Sequence, residues 1–257
     1  MNVATRPAAL AGISEKEWQI RCDLAALYRL VAYHRWTDFV YTHISARLPG
    51  PEHRFLINQY GVLFDEMRAS DLVKIDLNGN VVDQDGQSRR VNAAGFTIHS
   101  AIHMARPDLM CVVHTHTAAG IAVSAQKEGL LPLSQHALKF YGRLAYHGYE
   151  GIALDLDERE RLVRDLGQHK AMVLRNHGLL VGGTCIREAF HMIYMLERAC
   201  AAQVAALSGG REIILPPQEV CEHTAEQFRK QENDEHYSFM WDSALRLIEN
   251  DRPDYRS

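Results

Sequence analysis

The chain has 257 residues, 47% of them hydrophobic and 23% charged, which is enough apolar material to bury a sizeable core without disulfides. Its formal net charge of -4 comes from interspersed acids and bases, with no run of Lys or Arg that could neutralise a row of phosphates, so nucleic acid is not an expected partner. No stretch approaches the roughly 20 apolar residues that cross a bilayer, and Met1 to Gly12 lacks the basic-then-apolar order of a secretion signal.

A cytoplasmic protein without a membrane partner is therefore expected, folded as one domain over 1–257 with a helical tail beginning near Pro216. The five cysteines, Cys22, Cys111, Cys185, Cys200 and Cys221, are widely spaced among mostly apolar neighbours, as buried thiols are. They form no Cys-X-X-Cys pair for redox or zinc-thiolate chemistry.

In chain order, Ser14 followed by Glu17 is a capping-box pattern, and Trp18, Leu24, Leu27, Tyr28 and Val31 continue at helical spacing, which predicts an amphipathic first helix. Phe39 to Leu48 and Arg54 to Asn58 turn β-branched and aromatic around Pro49, Gly50 and Pro51, and predict paired strands. Val73 to Leu77, Asn78-Gly79 and Asn80 to Val82 read as a hairpin, because Asn-Gly tolerates the positive φ angles of a two-residue turn.

After Gly95 the spacing of Phe96, His99, Ile102 and His103 predicts a helix that stops at Arg106-Pro107. Met110 to His116 predicts a buried strand, Ala118 to Lys127 a helix, and the region near Asp157 the start of another, where Asp155, Asp157, Glu158 and Glu160 favour the helix dipole. A second buried strand, Ala171 to Arg175, runs into Asn176-His177-Gly178. A long helix from Ile186 to Leu207 closes at Ser208-Gly209-Gly210, and two shorter helical patterns follow Pro216-Pro217. Strands and helices are thus mixed along the chain, which predicts a layered α/β domain with a sheet at least partly antiparallel.

Residues two apart on a strand project from one face, so His114 and His116 can present both imidazoles to one point. Imidazole suits zinc, iron, manganese and cobalt, and His177 from a second strand end would complete a site with positions left for water or substrate. Gly178 would allow close backbone approach there, and Asn176 could orient a ligand. The pair His99 and His103, one turn apart, has no acidic base between its members and reads as core or interface histidines. Ser208-Gly209-Gly210 ends a helix and is no phosphate loop, and no Gly-X-Ser-X-Gly elbow is present.

The motifs Gly61-Val-Leu-Phe, Gly95-Phe-Thr-Ile-His99-Ser-Ala-Ile, Ala105-Arg-Pro-Asp108, Val112-Val-His114-Thr-His116-Thr, Leu174-Arg-Asn-His177-Gly178-Leu and Glu188-Ala-Phe190 follow one another in an order that resembles the class II aldolase and adducin superfamily. The resemblance runs from Trp36-Thr-Asp38 to Pro253-Asp-Tyr-Arg256 and is closest in motif to the adducin-like branch. It implies a three-layer α/β/α domain with a mainly antiparallel central sheet, often assembled as a homotetramer with sites between subunits. It also implies that His114, His116 and His177 match the three metal ligands of the family's sugar-phosphate enzymes. Zinc is the leading ion on this reading, with manganese and iron as alternatives.

Two departures shape the expected activity. The sugar-phosphate aldolases carry Ser-Ser-Glu where this chain has Ala93-Ala94-Gly95, and Gly-Asn where it has Thr42-His43. Both phosphate-holding elements and the acid/base glutamate are therefore missing, and a positioned acid or base is worth about 10²–10⁴-fold in rate. Decarboxylation tolerates that loss, because carbon dioxide leaves with its bonding electrons delivered towards the neighbouring carbonyl.

The leading expectation is a divalent-metal-dependent carbon–carbon lyase, of aldolase or decarboxylase type, on a small non-phosphorylated carbonyl or hydroxy acid. His43 is the candidate catalytic group, and Thr42 and His43 are candidate substrate contacts. The alternatives are a non-haem iron oxygenase on the same fold and a non-catalytic adducin-like binding module.

Overall fold

In the computed structural model, residues 7, 10, 12–82, 90–151, 157–250 and 252–257 are described, together with the backbone but not the side chains of Ala93 and Ala94. Asp155 of the expected acidic helix start lies outside them, as does most of Met1 to Gly12. Helix α1 (Glu15–Tyr33) opens at Ser14 as expected, its hydroxyl accepting from the Glu17 amide at 3.1 Å, while the Glu17 carboxylate that a full capping box would turn back to Ser14 accepts instead from Arg21 and Lys74. It buries Trp18, Leu24, Leu27, Tyr28 and Val31.

Strand β1 (His43–Arg47) pairs antiparallel with β2 (Phe55–Ile57). The strand expected from Phe39 starts four residues later, because Phe39 adopts φ +47° and the Tyr41 amide bends back to the Asp38 carbonyl. That bend sets Asp38 beside the strand ends. Strand β3 (Val73–Ile75) enters the expected hairpin, but the loop is Leu77-Asn78-Gly79 with Gly79 at φ +86°, and the second arm adds one bridge, Ile75 to Val81.

Then follow α2 (Ala93–Ala105), β4 (Cys111–Thr115), α3 (Ala118–Ser124), α4 (Gln135–Leu138) and β5 (Leu144–His147). The chain continues through α5 (Glu158–Leu166), β6 (Ala171–Leu174), β7 (Gly178–Gly183), α6 (Ile186–Ser208), α7 (Gln218–Gln231) and α8 (Asp234–Glu249). The seven strands form one sheet in the order β3-β2-β1-β4-β7-β6-β5. Neighbours are antiparallel except β5 and β6, so the sheet is mixed though mainly antiparallel.

Strand alternation sends Ile44, Ala46, Cys111, Val113, Leu179 and Val181 into one core with α1, α6 and α8. Val112, Met172, Leu174 and Leu180 face the other way, onto α2 and α5. The expected three-layer α/β/α architecture follows directly. Two strands escaped the sequence reading. β5 is a four-residue edge segment, and β7 carries glycine at both ends, which weakens its local β signature although it lies centrally between β4 and β6. Among the described residues no helix is long and apolar enough to cross a membrane.

Candidate metal centre

The register of the central strands assembles the site. β1 and β4 are aligned so that His43 lies opposite His114, and β4 and β7 so that Thr115 lies opposite Leu179. His116 follows the last residue of β4, and His177 occupies the three-residue turn from β6 into β7. Asn176 makes that turn by adopting φ +55°, a conformation Asn tolerates, and its backbone amide reaches back to the Ser124 carbonyl. Gly178 makes the close approach expected of it, since a Cβ there would sit 2.3 Å from the Thr115 carbonyl oxygen and 3.1 Å from His116 Cδ2.

His114, His116 and His177 each bring one ring nitrogen into a group whose members lie within 4.8 Å of one another. His114 Nδ1 lies 2.9 Å from the Leu179 carbonyl oxygen, and His116 Nδ1 lies 3.0 Å from Asp38 Oδ2. Both partners only accept, so both Nδ1 atoms donate, and in the neutral rings each Nε2 then carries a bare lone pair. The two Nε2 atoms face each other at 2.8 Å. Opposed lone pairs at that distance repel, and a cation between them turns the repulsion into coordination; the residues present therefore fit a divalent metal.

Burial favours the neutral forms of His114 and His177, as ligation requires. Desolvation, then the neighbouring His116 and His177, hold His114 well below the usual imidazole range. Desolvation by burial, then the neighbouring His116 and His147, bring His177 down to about 4. His116 keeps 16% of its side chain exposed, and His177 is likewise only partly buried, so the site borders solvent on their side.

His43 lies on the same face as His114, is 3% exposed, and is lowered to about 4 by desolvation, with a hydrogen bond from its ring to Asn58 acting in the opposite direction. Its ring fills the space beside Gly95: a Cβ on Gly95 would meet His43 Cδ2 at 2.3 Å, Cγ at 2.5 Å and Nε2 at 2.6 Å. The side chain absent from α2 is thus compensated by one from β1. Thr42 is enclosed, and its hydroxyl has no hydrogen-bond partner among the described residues. His99 and His103, set aside as ligands, share the Ser45 hydroxyl at 2.6 and 2.7 Å inside the core.

Two residues at the site went unassigned in the sequence reading. Asp38 lies 78 positions from His116; its only sequence signal is its place in Trp36-Thr-Asp38 just before the first strand, and nothing local ties it to a histidine. Glu197 on α6 is 2% exposed and accepts from the Thr115 and Thr117 hydroxyls at 2.5 and 2.7 Å. Burial raises its carboxyl to about 7 against those two hydrogen bonds.

Comparison with known proteins bears on the fold that carries these residues. A crystal structure of an aldolase II superfamily protein from Pseudomonas syringae superposes with a TM-score of 0.91 at 54% identity, covering 95% of this chain and 98% of that one. L-fuculose 1-phosphate aldolase from Glaciozyma antarctica PI12 superposes with a TM-score of 0.82 at 31% identity, covering 98% and 96%. Alpha-adducin of Rattus norvegicus is 46% identical over 77% of this chain, a region that makes up 28% of the adducin. The family model described as the Class II Aldolase and Adducin N-terminal domain matches residues 22–204, and the chain belongs to that family.

Proposed function

We propose that this protein is a divalent-metal-dependent carbon–carbon lyase, of aldolase or decarboxylase type, that acts on a small non-phosphorylated carbonyl or hydroxy acid. The observation that carries the reading is the pair of Nε2 lone pairs of His114 and His116 facing each other at 2.8 Å with His177 beside them. When bound, the metal, zinc by preference, supplies Lewis acidity to the substrate carbonyl. His114, His116 and His177 hold it, while the Leu179 carbonyl and Asp38 fix the orientation of the first two rings.

His43 is the substrate-side group in this reading. Its N–H is engaged by Asn58, which the Tyr28 hydroxyl also holds at 3.0 Å, so the ring is set in a fixed orientation to contact substrate or pass a proton. The preference for non-phosphorylated substrates rests on Ala93-Ala94-Gly95, which offers neither hydroxyl nor carboxylate, and on the His43 ring that closes the space at Gly95. The Glaciozyma antarctica relative is named for a sugar phosphate, and this chain is proposed to differ from it in substrate while sharing the cleavage chemistry. The working form is proposed to be a cytoplasmic homotetramer.

The likeness to alpha-adducin supports a second reading, a non-catalytic binding module in which the histidines persist as elements of the fold. Elemental analysis of anaerobically purified protein, with the His116→Ala variant alongside, separates the two, absence of metal favouring the module. Stoichiometric zinc or manganese that disappears in the variant supports the lyase, and iron instead favours an oxygenase. No metal in the wild type, or full metal content in the variant, overturns the ligand assignment.

A further inference from the structure

The segment that leaves β4 reads His114-Thr115-His116-Thr117, and period-two alternation sends the histidines to one side of the sheet and the threonines to the other. On the threonine side, α6 passes behind the segment and places Glu197 against it. Thr115 Oγ1 donates to Glu197 Oε1 at 2.5 Å and Thr117 Oγ1 donates to Oε2 at 2.7 Å, so the two oxygens of one carboxyl bracket the two hydroxyls that alternate with the histidines. The bracket extends further. Thr117 Oγ1 also accepts the Gly120 amide at 2.9 Å and caps α3, and the Thr115 carbonyl is pressed by the Gly178 backbone from β7.

A carboxyl only 2% exposed is an expensive group to bury, and an apolar side chain at 197 would fill the volume without that cost. What an apolar side chain could not do is fix the relative positions of Thr115 and Thr117, and with them the projection of the rings on either side of Thr115. We propose that Glu197 is a positioning residue that holds His114 and His116 at metal-binding separation from behind the sheet. The inference rests on the reading of the three histidines as a metal site, and it assigns to α6 a part in that site without any contact to the ion.

The test is metal affinity, measured by competition of zinc against a chromophoric chelator, for the wild type, Glu197→Leu, Glu197→Gln and Thr115→Val. Groups that orient metal ligands from behind typically change affinity by about 10–100-fold when lost. Glu197→Leu is expected to weaken zinc binding in that range and to shift the visible d–d spectrum of the cobalt-loaded protein. Glu197→Gln, which can accept from one threonine and donate to the other, is expected to restore affinity close to that of the wild type. Thr115→Val keeps shape and strand propensity while removing one hydroxyl, and is expected to weaken binding even if Glu197→Leu does not fold. Folded Glu197→Leu or Thr115→Val protein with wild-type affinity and an unshifted cobalt spectrum overturns the proposal and leaves the metal site standing. A wild type that binds no zinc overturns the metal reading and this inference together.

Discussion

Replacing Gly95 by Ala tests whether His43 and Gly95 are sterically matched. The new Cβ would lie 2.3–2.6 Å from three atoms of the His43 ring, far inside van der Waals contact. The ring has little room to withdraw, since it is 3% exposed, bonded to Asn58, and meets the His99 ring edge-on at 6.1 Å between centroids. Overpacking of this kind costs about 1–3 kcal/mol. Gly95 is also the third residue of α2, where Ala is favoured over Gly by at most about 1 kcal/mol, so Gly95→Ala alone is expected to destabilise by about 0–3 kcal/mol.

The sharper quantity is the coupling. With His43→Ala the space is open, and Gly95→Ala should then keep only its helix-propensity gain, which gives an interaction free energy of about 1–3 kcal/mol across the cycle. Urea unfolding of the four proteins at constant m-value measures it. A coupling below about 0.5 kcal/mol would refute the claim that the imidazole on β1 occupies the space of the side chain missing from α2.

Asp38→Ala should lower zinc affinity by about 10–100-fold by freeing the His116 ring, read by the same chelator competition; unchanged affinity would remove Asp38 from the site. Glu197 has its carboxyl raised from 4.5 to about 7, so its protonated form contributes stability that is fully present below pH 4.5 and is lost as pH rises through 7. Glu197→Gln, which never ionises, should therefore gain on the wild type across that window, reaching about 3 kcal/mol above pH 7 in denaturant unfolding, and a pH-independent difference would contradict the assignment. A panel of phosphorylated sugars should give neither turnover nor competitive inhibition, and micromolar inhibition by one of them would count against a non-phosphorylated substrate.

Much of the fold was legible locally because its signals repeat with the backbone. Ser14 and Glu17 marked the start of α1, Pro107 the end of α2, and the apolar run before His114 the strand β4. The mixed pattern of strands and helices gave the layered class, and His-X-His on a strand gave two converging rings without further information. Where local pattern was thin, elements were missed: β7 begins and ends in glycine, and β5 is a short edge strand whose parallel partner, β6, is supplied by a distant segment.

The histidines of the candidate metal site, and the absence of a carboxylate at Gly95, were therefore written in the sequence itself. The tertiary structure alone decided that Asp38 reaches His116 across 78 positions and that Glu197 reaches Thr115 across 82. It also decided that His43 fills the space beside Gly95. Side-chain periodicity is a property of neighbouring residues, whereas these contacts depend on strand order, register and the helix packed behind each strand, which no stretch of neighbouring residues encodes.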